Sequence, residues 1–213
     1  MDDVKAPMTY RQRQAEETKA RIATAARDLF ARQGYAQTSM EAIAAEVGVA
    51  VRTVYAAFGT KKAILGAICE QWLERAQTLV LVQEAMAAPG ARRRLALLAR
   101  AVRLQWEEGG DILTMLEVAA AGDAEIRAMV DGWAGARAAA MGRVLAGVES
   151  ELVASLGLAG ATAVVRAMTA PQLYQSLVGD SGWLPDQFEE WLGEALASLL
   201  LPPKARSRAR TQG

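Results

Sequence analysis

The chain has 213 residues, 52% of them apolar, with 24 Lys and Arg set against 24 Asp and Glu, no histidine and one cysteine. Without histidine there is no Ser/His/Asp or Cys/His triad and no imidazole metal site, and Cys69 alone neither closes an internal disulfide nor builds a thiolate site, so the chain is read as not an enzyme, with no catalytic residue, metal or cofactor. The apolar residues fall at helical spacing, with no run of about 18 that spans a bilayer and no signal peptide, which points to a cytoplasmic protein with no membrane partner.

Residues 1–10, which include Pro7, read as a loose arm. Helical pattern starts by about Arg11, and Ile22, Ala25, Ala26, Leu29 and Phe30 form one apolar face up to Gly34, a helix-ending glycine. Thr38-Ser39-Met40-Glu41 matches a capping box, in which a threonine hydroxyl and a glutamate side chain satisfy orphan amides, and predicts a helix over 39–47. Gly48 permits a sharp turn into a short helix over 49–58, packed by Val49, Val54 and Phe58. A long amphipathic helix is expected over 61–86, with Ile64, Leu65, Ile68, Trp72, Leu79 and Val80 facing inward and Pro89-Gly90 ending it.

Further helices are predicted over 91–107, 112–121, 124–149 and 160–169. A short piece begins at Pro171 and runs to Leu177, because proline suits a first helical position and not an interior. The last helix opens at Pro185, and its apolar arc is broader than one packing partner needs. A second copy of the chain is the economical cover, which makes Phe188, Trp191, Leu192, Leu196 and Leu199 the expected dimer interface. No segment reads as a strand, so the fold class is all-α. Beyond Pro202-Pro203 a basic tail, 202–213, reads as disordered.

Charge is unevenly spread. Residues 1–66 hold ten basic and seven acidic side chains, 67–201 hold ten and seventeen, and 202–213 hold four and none. A basic N-terminal module on an acidic body suits a head that faces phosphate and a body that phosphate repels.

From Arg21 to Ala67 the sequence resembles the tetracycline-repressor (TetR) family of bacterial regulators. The resemblance is carried by Ala25-Ala26, Leu29-Phe30, Gly34-Tyr35, Thr38-Ser39, Ile43-Ala44, Gly48-Val49, Thr53-Val54-Tyr55, Phe58 and Lys61-Lys62. A weaker likeness lies in Thr169-Ala170-Pro171-Gln172-Leu173-Tyr174, Gly182-Trp183-Leu184-Pro185 and Trp191-Leu192. It implies a three-helix helix-turn-helix DNA-binding domain over 1–66 and a larger helical domain over 67–201. Members dimerise through their last two long helices and commonly hold a small-molecule effector in that second domain.

A recognition helix presents its first residues to base edges, here Ala50, Val51 and Arg52, and an arginine can donate two hydrogen bonds to guanine O6 and N7. Thr38 and Ser39 open the preceding helix, where free amides favour a phosphate. Thr53, Tyr55 and Lys61 fall at positions that contact the DNA backbone in the family. Ala50 stands where a capping serine is frequent and Ala57 where an aromatic or histidine is frequent, so a shallower salt dependence is expected. In the body, Trp106, Met115, Met129, Trp133, Arg137, Met168 and Tyr174 are the candidate ligand-binding side chains, mixing apolar surface with one charge. The expected partners are double-stranded operator DNA, a second copy of the chain and an unknown effector. The expected function is that of a repressor released from a palindromic operator by the effector. The alternative is a helical protein-interaction module with weak or no specific DNA binding.

Overall fold

In the computed structural model, residues 9–203 are described. Most of the predicted arm, 1–8, and the basic tail from 204 onward lie outside them. The elements are α1 (Tyr10–Gln33), α2 (Met40–Val47), α3 (Val51–Phe58), α4 (Lys61–Arg75), α5 (Thr78–Ala87), α6 (Ala91–Gly122), α7 (Ala124–Ala146), a 3-10 turn (Glu149–Glu151), α8 (Gly157–Met168), α9 (Pro171–Tyr174), a π-helical turn (Gln175–Asp180) and α10 (Pro185–Leu200). Every regular element among the described residues is helical, and none is long and apolar enough to cross a membrane.

Two compact units result. Among the described residues, one comprises 9–74 with Gly109–Asp131, the other Arg75–Glu108 with 132–203. The head predicted over 1–66 thus keeps the rest of α4 and takes in 109–131, a return of the chain that no local pattern announces.

In the first unit, α1 starts on a true capping box. Thr9 Oγ accepts from the Gln12 amide at 3.3 Å, and Gln12 Oε1 accepts from the Thr9 amide at 2.8 Å. Ile22, Ala26 and Phe30 of α1, Met40, Ile43 and Ala44 of α2, Val54 of α3 and Ile64, Leu65, Ile68 and Trp72 of α4 are among its buried apolar side chains. The turn between α2 and α3 depends on Gly48, left-handed at φ 73°, whose amide returns to the carbonyls of Ala44 and Ala45. The α2 C-terminus is also tied to α1, because the Arg21 guanidinium donates to the Val47 carbonyl at 3.0 Å. Asp111 accepts two hydrogen bonds from Arg27, at 2.7 and 2.6 Å, and this pairing holds its carboxyl below the usual range despite partial burial.

Two predicted boundaries change. The helix expected over 61–86 breaks at Gln77, which is left-handed at φ 53°, and the apolar stripe is reset across the break. Leu79 and Val80, expected inside, are 73% and 53% exposed, while Leu81 and Ala85 are buried. The helices expected over 91–107 and 112–121 are one helix, α6, kinked at Gly109, where φ is −133°. Glycine is required there because a Cβ would fall on the Trp72 indole.

In the second unit the buried set includes Leu95, Leu98 and Val102 of α6, Val144 and Leu145 of α7, Val165 of α8 and Phe188, Leu192, Leu196 and Leu200 of α10. α10 packs close on α6, where a Cβ at Gly193 would lie 3.7 Å from both Ala96 Cα and Ala99 Cβ. Tyr174 sits edge-on to Phe188, with ring centroids 4.9 Å apart.

Candidate nucleic-acid interface

α3 has one face sealed and one free. Val54 is wholly buried, Val51, Thr53, Ala57 and Phe58 are half-buried, and Arg52, Tyr55 and Ala56 face outward at the i, i+3, i+4 spacing of a single helical stripe. Arg52 makes no hydrogen bond or ion pair among the described residues, and Tyr55 is 48% exposed. Ala50 takes the N-cap position but has no side chain to cap with, and its carbonyl accepts from the Thr53 amide at 2.8 Å.

The residues before α2 divide differently from expectation. The cap is Ser39, whose hydroxyl accepts from the Ala42 amide at 3.1 Å, and Ser39 is exposed. Thr38 is instead buried: its hydroxyl donates to the Gly34 carbonyl at 2.9 Å and accepts from Gln33 Nε2 at 3.1 Å. The capping box predicted at Thr38 is therefore absent, since three residues beyond the actual cap stands Ala42, which has no carboxylate to return.

Lys61, expected at a phosphate, is turned inward. Its ammonium donates to the carbonyls of Tyr35 at 2.7 Å, Ala36 at 3.3 Å and Thr38 at 2.8 Å, which accounts for its three protons, and it lies 4.4 Å from the centre of the Tyr35 ring. Loss of water lowers its pKa. The start of α4 is thereby fastened to the loop that carries α2.

The candidate ligand residues fall in both units. Met115 and Met129 belong to the first, and Trp106, Trp133, Arg137, Met168 and Tyr174 to the second. Within the second, two donors that also stack on one another converge on the main-chain carbonyl of Thr169, at the C-terminal end of α8. Trp106 Nε1 donates to it at 3.2 Å, Arg137 Nη2 donates to it at 2.7 Å, and the Arg137 guanidinium lies over the Trp106 ring at 4.9 Å. A backbone acceptor carries no residue-type signature, so Thr169 had no sequence mark beyond its place before Ala170-Pro171.

The expected dimer interface is corrected in part. Phe188, Leu192 and Leu196 have no exposed surface at all and belong to their own chain's core, whereas Leu199 is 49% exposed. Trp191 is half-buried beside Trp183, with ring centroids 5.7 Å apart. The breadth of an apolar arc on one helix does not tell its own chain's core from a partner's surface.

Residues 22–68 match the sequence model of the bacterial regulatory proteins of the tetR family. No curated protein sequence matches. Among solved structures, NalD, the secondary repressor of the MexAB-OprM multidrug efflux pump in Pseudomonas aeruginosa, is similar at 23% identity and a TM-score of 0.70, over 89% of this chain and 98% of that one. A transcriptional regulator of Aquifex aeolicus VF5 is similar at 18% identity and a TM-score of 0.67, over 85% and 98%. A regulator of Saccharomonospora viridis solved with choline is similar at 21% identity and a TM-score of 0.63, over 88% and 100%. At these identities the likeness is one of fold across nearly the whole chain. The family match is confined to the N-terminal helices, residues 22–68, and the likeness to these solved structures around them is one of fold.

Proposed function

We propose that the chain is a sequence-specific DNA-binding transcription regulator, acting as a repressor that an effector releases from a palindromic operator. The observation that carries this reading is the outward stripe of α3, where Arg52 stands exposed with its guanidinium uncommitted. In the major groove Arg52 donates to guanine O6 and N7, and Val51 meets a thymine methyl. Ser39 and the first amides of α2 take a phosphate, as do the hydroxyls of Thr53 and Tyr55. Thr38 and Lys61 act behind this face: they hold the loop from which α2 starts, and with it the angle at which α3 is offered.

Two copies related by a two-fold axis read two half-sites, with the outward side of α10, including Leu199, in the pairing surface. The second unit holds the small-molecule effector, which releases DNA by favouring a dimer arrangement whose heads no longer match the half-site spacing. The inward commitment of Lys61 and Thr38 leaves fewer groups for phosphate, which favours weak non-specific binding and is also what a protein-interaction module would show.

Selection from random duplex DNA at near-physiological salt separates the two readings. Recovery of an inverted repeat with half-sites about one helical turn apart is the expected result. A folded dimer that enriches no sequence, with or without candidate effectors, overturns the regulator reading in favour of the interaction module.

A further inference from the structure

Arg137 lies on α7 within the second unit, desolvated and without an anion. Its partners are the Thr169 carbonyl at 2.7 Å and the Trp106 ring at 4.9 Å, and no carboxylate pairs with it among the described residues. Burial alone pushes its pKa down to about 10, with no neighbouring charge raising it. Two other arginines of the same unit are paired with carboxylates, while Arg94 donates to the Ala88 and Val144 carbonyls at 3.0 and 2.8 Å. Arg103 reaches Glu107 at 2.6 Å and Glu189 at 3.0 Å, and Arg92 reaches Glu194 at 3.0 Å.

A guanidinium carries five N–H donors in a planar fork, and among the described residues the Thr169 carbonyl is the one acceptor Arg137 is given. That carbonyl is shared with Trp106, and the Thr169 hydroxyl donates to the Val165 carbonyl at 2.7 Å and takes no hydrogen bond from Arg137 among the described residues. Arg137 remains partly exposed, so the free edge of its fork is reachable. A desolvated, unpaired cation destabilises the folded chain, and an arriving anion relieves that cost.

We propose that the free edge of Arg137 is the recognition point for a singly charged planar anion, the carboxylate of an amphipathic effector. Its two oxygens accept from the fork in the bidentate manner carboxylates favour. A dianionic phosphate fits less well, because one cation neutralises only half of its charge. This assignment rests on the reading that the second unit holds an effector.

The test is thermal unfolding of the full chain with benzoate and with hexanoate, octanoate and decanoate, against octanamide and octyltrimethylammonium at the same concentrations. The carboxylates are expected to raise the midpoint saturably, while the amide and the ammonium leave it unchanged. Arg137→Met is expected to unfold at a higher midpoint than the parent without ligand and to lose the response. Arg137→Gln serves the same purpose should the methionine variant not fold. A carboxylate response that survives in either variant, a response confined to the ammonium, or none to any carboxylate overturns the anion assignment. The effector reading fails on a separate result: no compound of any charge in a broad library shifts the midpoint or releases the selected duplex.

Discussion

Arg52 on α3 and Arg137 on α7 both lack a carboxylate partner, yet the two regions use that fact in opposite ways. Arg52 stands in water, where an unpaired guanidinium costs nothing, and it keeps its donors for a groove that the free chain does not contain. Arg137 is largely withdrawn from water, which lowers its pKa to about 10, and the carbonyl it donates to among the described residues does not supply a full opposite charge. An idle charge is thus a ready contact in the first region and a stored cost in the second. Solvation, not the lack of a partner, distinguishes them.

The largest effect expected is at α10, where Leu192→Asp or Leu196→Asp puts an unpaired carboxylate into a fully buried stripe. A loss of more than about 4 kcal/mol is anticipated, from lost burial and an uncompensated charge together. Urea unfolding measures it, and a well-folded monomer would return these leucines to the pairing surface. Lys61→Met comes next. It strips donors from three carbonyls and should cost about 2 kcal/mol, tempered by partial exposure. Its defining feature is that the salt slope of DNA binding stays within error of the parent's, whereas a lost phosphate contact would lower the slope by about one.

Arg52→Ala is expected to weaken binding to the selected duplex by about tenfold to a hundredfold, with non-specific binding little changed. Equal losses on both, in competition measurements, would reduce Arg52 to a phosphate contact. The smallest change is Gln77→Gly, which relieves a left-handed non-glycine residue between α4 and α5 and should stabilise by about 0.5 to 1 kcal/mol, read from the denaturation midpoint. Cys69 adds a check on burial. Its thiol is pushed up to about 12, so alkylation at pH 8 should be silent in the native chain and quick in urea.

What was legible in the sequence was local. α1, α2 and α3 follow from apolar spacing and from Gly34 and Gly48, and the stripe that carries Arg52 follows from the same geometry. The break at Gln77 was not legible, because neither glycine nor proline marks it. The Ser39 cap and the inward turn of Lys61 were equally hidden, since a hydroxyl or an ammonium of the right type says nothing about which acceptor it meets. Leu192 and Leu196 failed for a related reason: hydrophobic spacing states that a face is buried and is silent on what covers it.

By itself the sequence determined helical class, the order of the head's helices and the exposed arginine at the start of α3, because each depends on residues within a few turns of one another. Tertiary structure alone decided the rest. It brought 109–131 back to the first unit, seated Trp72 against Gly109, committed Lys61 to three carbonyls and left Arg137 desolvated beside Thr169. Burial, and the choice among chemically equivalent acceptors, depend on residues distant in the chain, and so they are set only when the helices pack.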